Sequence, residues 1–149
     1  MDNYALFQEY LKIDHQIDEF YHALAQGQGL SDSALWVLWS LAELGEGCTQ
    51  TDICRQFFLT KQTIHSSVRK LERDGLLDLR PGGGREVSLF LTERGRELLR
   101  GKVLPTMEAE RAAAQGLTEA EWREMIRLSR KWLSLFQNAA AGLPKNPKP

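Results

Sequence analysis

Apolar residues recur at intervals of three and four along most of this chain, and this spacing predicts helices. The first predicted helix covers 2–26, and a second, apolar on most sides, begins at Ser31 or Asp32. A short third helix covers 50–58, with Phe58 among its inward residues. A polar-faced helix, two strands and two long helices follow. The predicted fold class is therefore mainly α with a small β-hairpin.

The fourth predicted helix has one apolar side and one polar side. Ile64, Val68 and Leu71 share the apolar side, Thr60 can cap the N-terminus, and Gly75 can end the helix. The opposite side has short polar groups near its start and cations toward its end. Such a face suits the major groove of DNA, because glutamine can bond adenine edges and arginine can bond guanine or phosphate. An ordinary amphipathic surface helix explains this segment alone equally well.

A glycine-tipped hairpin follows this helix, with strands predicted over 76–80 and 86–91. Arg80 and Arg85 flank its tip, which suits insertion along a phosphate backbone or into a minor groove. Residues 48–49 can add a short third strand beside it. A short helix, a tight turn, a polar-faced helix and this hairpin make a winged helix-turn-helix.

The first helix and the last two carry more aromatic surface than so small a module can cover, which usually marks an interface. A two-fold homodimer is the simplest closure, and it places two recognition helices for half-sites about 34–36 Å apart. Pro105 should kink or break the fifth helix near Lys102. The predicted domains are dimerisation helices in 1–30 and 100–140, a winged helix-turn-helix domain in 31–99, and a flexible tail in 141–149.

Charge is unevenly distributed along the 149 residues, whose formal net charge is −1. Residues 49–85 carry seven cations and four anions, a net +3, which is the footprint expected of salt-sensitive DNA binding. No apolar run is long enough for a membrane, and the N-terminus lacks the features of a signal peptide. Two cysteines do not make a disulfide framework, so we expect a cytoplasmic protein.

Several stretches resemble the MarR family of bacterial winged-helix regulators, from about residue 6 to residue 138. The stretches are LERDGLL at 71–77, the wing residue Arg85, LTERG at 91–95 and LTEAE at 117–121. The family often has an aspartate two residues before the wing arginine, where this chain has Gly83. The resemblance implies a homodimeric repressor that binds a pseudo-palindromic operator in double-stranded DNA. It also implies release by a small, often aromatic, effector.

The candidate DNA contacts lie mainly on the outer face of the fourth helix and at the wing. Gln62 and Ser66 are the candidate base readers, whereas the cations are expected to contact phosphates and set affinity and register. The complete set is Thr49, Thr60, Lys61, Gln62, Thr63, His65, Ser66, Arg69, Lys70, Arg80 and Arg85.

Tyr10, His15, Trp36 and Trp39 are the candidates for an effector pocket. Aromatic residues at helical spacing more often form a core or a dimer interface. His15 and His22 share a helix face but lack a third ligand, so no metal site is predicted.

Two further functional classes compete with a DNA-binding regulator released by an effector. Cys48 and Cys54 could sense oxidants, although buried cysteine is the commoner case. A winged helix can also serve protein contacts alone. The chain lacks a phosphate-binding loop, a nucleophile elbow and a metal-ligand cluster, so we expect no enzymatic activity and no cofactor.

Overall fold

The computed structural model describes residues 2–57 and 59–144 and confirms the predicted fold class. Phe58 and residues 145–149 of the predicted tail lie outside the described residues. In chain order the elements are α1 (Asn3–Gly27), α2 (Asp32–Leu44), α3 (Gln50–Phe57), α4 (Lys61–Arg73), β1 (Leu77–Pro81), β2 (Val87–Leu91), α5 (Glu93–Leu98), a π-helical segment (Leu99–Val103), α6 (Leu104–Ala114) and α7 (Glu119–Ala139).

Hydroxyl caps begin the helices at the predicted positions. The Ser31 hydroxyl accepts the Ala34 N–H at 3.2 Å, and the Thr60 hydroxyl accepts the Thr63 N–H at 3.2 Å. Thr118 opens α7 with a complete capping box. These bonds join residues three apart, so sequence spacing is enough to predict them.

The core is built around α2, which is buried on most sides as its composition predicts. Leu35 and Leu38 of α2 are almost fully buried. Helix α4 packs against α2 and contributes the predicted inward row of Ile64, Val68 and Leu71. The burial of this row turns the opposite side of α4 toward solvent.

The wing is an antiparallel pair of strands, β1 and β2, with an additional short segment at its outer edge. Gly47 donates its N–H to the Leu89 carbonyl at 2.7 Å, and Leu89 donates its N–H to the Cys48 carbonyl at 2.9 Å. Thr49 forms an isolated bridge with Ser88. The predicted third strand is thus present as a short bridging segment.

Hydrogen bonds between one threonine and the backbone of two glycines connect the start of α5 to the end of α4. The Thr92 hydroxyl accepts the Gly95 N–H at 3.1 Å and donates to the Gly75 carbonyl at 2.6 Å. A Cβ atom on Gly95 would lie 2.1 Å from the Leu76 carbonyl oxygen. Only glycine therefore fits at residue 95 without movement of the backbone.

Pro105 is preceded by the π-helical segment Leu99–Val103. The Leu104 N–H bonds the Leu99 carbonyl five residues earlier, and the Thr106 hydroxyl donates to the Lys102 carbonyl at 2.9 Å. Proline has no N–H to donate, and the wider turn accommodates its ring. The predicted irregularity near Lys102 is confirmed.

The chain divides into two compact units, residues 1–108 and 109–149. Both expose apolar side chains, and in the second unit the rings of Trp132 and Phe136 stack at 5.7 Å. No helix of the described residues is both long and apolar enough to cross a membrane. The large exposed residues include Tyr4, Leu6, Tyr10, Leu11, Ile13, Ile17 and Phe20 on α1, and Trp122, Met125, Ile126, Trp132, Leu133 and Phe136 on α7.

Candidate nucleic-acid interface

The outer face of α4 is a row of exposed polar and charged side chains. It exists because the opposite row of the helix is buried against the core. Every α4 candidate from the sequence is exposed, as is the capping residue before the helix. These residues are Thr60, Lys61, Gln62, Thr63, His65, Ser66, Arg69 and Lys70.

The N-terminal part of this face presents short side chains with unused hydrogen-bonding groups. Gln62 and Ser66 make no side-chain hydrogen bond within the described part of the chain, and Lys61 has no ion-pair partner there. The Thr60 and Thr63 hydroxyls bond each other at 2.7 Å. A glutamine and a serine free in this way can bond base edges without breaking an existing contact.

The cations in the C-terminal half of α4 are partly neutralised by neighbouring carboxylates. Arg69 pairs with Glu72 at 3.0 Å, and Lys70 pairs with Asp74 at 2.7 Å. The hydrogen bond from Lys70 holds the pKa of the Asp74 carboxyl below its ordinary value. To bind DNA, Arg69 and Lys70 would each have to exchange a carboxylate partner for a phosphate. Each therefore adds less binding free energy than an unpaired cation would.

A shallow hollow of about 490 Å³ joins this face to the start of α2. Arg73 lines it and has no ion-pair partner among the described residues. Helical periodicity alone predicts that Arg73 lies on the outer face of α4. Local sequence does not predict that Ser31 and Ser33 lie beside this face. The lining residues are Ser31, Ser33, Gln62, Thr63, Ser66, Ser67, Lys70 and Arg73.

The two wing arginines occupy different environments. Arg85 is exposed at the tip and has no partner among the described residues. Arg80 pairs with Asp78 at 2.9 Å, and its guanidinium lies 4.2 Å from the centre of the Phe90 ring. Arg85 is thus available to a ligand at once, whereas Arg80 is already engaged within the hairpin.

Thr49 is engaged in the cap of α3. Its hydroxyl donates to the Asp52 carboxylate at 2.9 Å and accepts the Asp52 N–H at 3.2 Å. The hydrogen bond from the Thr49 backbone N–H lowers the pKa of the Asp52 carboxyl. As DNA contacts, Thr49 and Arg80 stay predictions, and each would first have to leave an internal partner.

The sequence model of the MarR family matches residues 28–86, which contain α2, α3, α4, β1 and the tip of the wing. Over these residues the chain is similar to the MarR family of transcription regulators. Its sequence has no significant match among curated proteins.

Solved structures of MarR family regulators share the fold. MepR of Staphylococcus aureus, solved in complex with DNA, is 25% identical, with 92% of this chain and 99% of MepR covered and a TM-score of 0.66. A MarR family regulator from Neisseria meningitidis is 21% identical over 95% of this chain and 98% of its own, with a TM-score of 0.71. BpsR of Bordetella bronchiseptica, whose DNA binding is regulated by 6-hydroxynicotinic acid, is 22% identical over 83% and 98%, with a TM-score of 0.61.

The four predicted effector residues do not form one group. Trp36 and Trp39 pack against each other, with ring centres 5.5 Å apart, and Tyr21 lies 5.2 Å from Trp36. Tyr10 and His15 are exposed on α1, and Tyr10 lies about 16 Å along the helix from Tyr21 at 1.5 Å per residue. The tryptophans belong to the core cluster, and an effector role for the four stays a prediction.

The histidines of α1 have carboxylate neighbours. His15 lies 3.4 Å from Glu19, and His22 lies 2.7 Å from Asp32. Among the described residues, no three histidine, cysteine, aspartate or glutamate side chains are grouped closely enough to hold a metal ion.

Cys48 is poorly suited to oxidant sensing. It is buried, and burial together with the nearby charge of Asp52 raises the pKa of its thiol to about 11. The thiolate is the reactive form, so Cys48 is largely unreactive at neutral pH. Cys54 is partly buried and is also a free thiol.

Proposed function

We propose that this chain is a homodimeric, sequence-specific DNA-binding transcription regulator. The outer face of α4 carries the proposal, because Gln62 and Ser66 offer unused hydrogen-bonding groups at its N-terminal end. Cations follow along the same face, and Arg85 adds an unpaired charge at the wing tip. Short polar groups that read bases and cations that hold the backbone are the two components of specific binding. The DNA complex of MepR, a relative of the same fold, supports this assignment.

The exposed apolar faces of α1 and α7 support dimerisation. Side chains such as Phe20 and Phe136 are each more than half exposed in the single chain. A second copy can cover both faces, and two-fold symmetry then presents two α4 helices to a pseudo-palindromic operator. In the proposed dimer, the dimerisation helices lie in 1–30 and 100–140, and the DNA-binding domain is 31–99.

A small-molecule effector completes the proposed regulation. The DNA binding of BpsR is regulated by 6-hydroxynicotinic acid, a small aromatic acid. We propose a repressor in the cytoplasm that a compound of this size and aromatic character releases from DNA.

Fluorescence anisotropy against DNA from upstream of the chain's own gene tests the proposal, with random DNA beside it and several salt concentrations. A specific regulator should prefer the upstream DNA by a factor of about 10³ or more, with a steep salt slope. Equal and weak binding to both DNAs would instead favour a winged helix that serves protein contacts.

Two variants separate base reading from phosphate binding. Gln62→Ala should reduce discrimination at one operator position by about 1–3 kcal/mol, with little change on random DNA. Arg85→Ala should weaken binding to both DNAs and lower the salt slope by about one. Lys102→Ala is the matched control, because it also removes one exposed cation but lies on the π-helical segment. Equal losses on both DNAs for Gln62→Ala would refute its role as a reader.

A further inference from the structure

Glu46, in the turn between α2 and α3, joins three parts of the first unit. Its carboxylate accepts the backbone N–H of Leu91, the last residue of β2, at 2.8 Å. The same carboxylate pairs with the Arg96 guanidinium of α5, with contacts of 2.9 and 3.2 Å. One side chain thus connects the turn after α2, the base of the wing and the helix that follows the wing.

The Glu46 carboxylate continues the hydrogen bonding along the outer edge of β2. Backbone groups of Gly47 and Cys48 bond Leu89, and the carboxylate then takes the N–H of Leu91 two residues on. Without Glu46, that N–H would lose its partner at the point where the wing joins α5. Charge-assisted bonds of this kind are stronger than those between neutral groups.

The charge on Glu46 is stable at neutral pH. The hydrogen bond from Arg96 holds the pKa of the Glu46 carboxyl below its ordinary value against the opposing effect of burial, and the bond from Leu91 and the charge of Arg80 add to this. Arg80 belongs to the same region, because it stacks on Phe90. The Phe90 ring in turn covers Gly47, where a Cβ atom would lie 3.6 Å from it.

The tip of the wing has few contacts of its own. Gly83 and Gly84 are exposed, and a Cβ atom on either would have no neighbour within 4 Å. Arg85 follows them with no partner among the described residues. The direction of the tip therefore depends on how firmly the base of the wing is held.

We propose that Glu46 is a positioning residue for the wing. By tying Leu91 of β2 to Arg96 of α5, it holds the hairpin in the orientation that brings Arg85 to the DNA backbone. This inference rests on the proposed function, since it assigns Glu46 a role in DNA binding without a contact to DNA.

A double-mutant cycle tests the proposal with operator and random DNA. In the unmodified chain, Arg85→Ala should weaken operator binding and lower the salt slope by about one. In the Glu46→Ala background the same change should alter affinity by less than about twofold, because the wing no longer places Arg85 at the backbone. Gln62→Ala should keep its full effect of roughly five- to hundredfold in both backgrounds.

Conservative variants separate positioning from loss of folding. Glu46→Gln retains an oxygen for Leu91 but loses the ion pair with Arg96, and Arg96→Gln loses the same ion pair. The cost of Arg85→Ala should therefore be intermediate in both backgrounds, below that in the unmodified chain and above that in Glu46→Ala. Circular dichroism and thermal unfolding establish that each variant is folded, and Arg96→Gln carries the test if Glu46→Ala is not.

Each outcome of the cycle is decisive. An equal cost of Arg85→Ala in the unmodified, Glu46→Ala and Arg96→Gln backgrounds would overturn the role of Glu46. Specific binding that Arg85→Ala leaves unchanged would also overturn it, because the wing would then have no contact to position. Failure of the unmodified chain to prefer operator DNA would instead refute the proposed function.

Discussion

Gly95→Ala should destabilise this protein, although alanine is the better helix former. The added methyl group would lie 2.1 Å from the Leu76 carbonyl oxygen, well inside the 3.0 Å that real Cβ contacts keep. The obstacle is backbone, so α5 must move away from the end of α4. Forced overpacking of this kind costs about 1–3 kcal/mol, whereas the gain in helix propensity is about 0.5–1 kcal/mol. With the middle of each range, the free energy of unfolding should therefore fall by about 1 kcal/mol.

Gly101→Ala is the matched control within the same chain. Gly101 also lies in a helical segment, but a Cβ atom there would have no neighbour within 4 Å. The change should raise the free energy of unfolding by about 0.5–1 kcal/mol, because it restricts the unfolded chain. The two variants thus make the same chemical change with opposite expected signs.

Urea unfolding followed by circular dichroism measures both variants. All samples should be at one protein concentration, because unfolding of a dimer depends on concentration. In a thermal scan each 1 kcal/mol should shift the midpoint by about 2–4 °C. A Gly95→Ala variant as stable as Gly101→Ala would refute the close packing of α5 against Leu76.

Three further predictions concern single sites. Iodoacetamide at pH 8 should modify Cys54 before Cys48, because the Cys48 thiol, with a pKa of about 11, stays protonated at that pH. Equal rates of modification of the two cysteines, measured by mass spectrometry, would contradict this. Thr118→Ala should cost about 1 kcal/mol in urea unfolding, because it removes the cap of α7, and an unchanged midpoint would show that the capping box is not stabilising. Glu72→Gln should tighten binding to operator and random DNA alike by a few-fold, because it frees Arg69 from an ion pair of about 0–1 kcal/mol. Unchanged anisotropy titrations would show that Arg69 does not contact DNA.

Helix starts, helix faces and the hairpin were predictable because each depends on residues close in sequence. Thr60 caps a helix whose first turn it precedes, and Ile64 and Val68 share a side because they are four residues apart. Pro105 disturbs the backbone within its own turn. The exposed candidates on α4 were found for the same reason, since burial of one side of a helix specifies the other.

Local sequence could not predict whether a candidate side chain already has a hydrogen-bond, ion-pair or ring partner in the folded chain. Periodicity assigns Arg80 and Arg85 equally to the tip of the wing, yet Arg80 stacks on a ring ten residues away in sequence. Thr49 was a candidate DNA contact, but its hydroxyl donates a hydrogen bond to the Asp52 carboxylate. Glu46 has no sequence motif, because its two partners lie 45 and 50 residues further along the chain.

Local sequence thus specifies where the elements of this chain begin, which sides they bury and which residues face solvent. The folded chain specifies which exposed charges are already paired, which turn holds the wing, and why residue 95 must be glycine. The physical reason is how far apart in sequence the interacting residues are. Caps, turns and helical faces arise from bonds and sterics within about one turn of the backbone, whereas ion pairs and close packing join residues that only folding brings together.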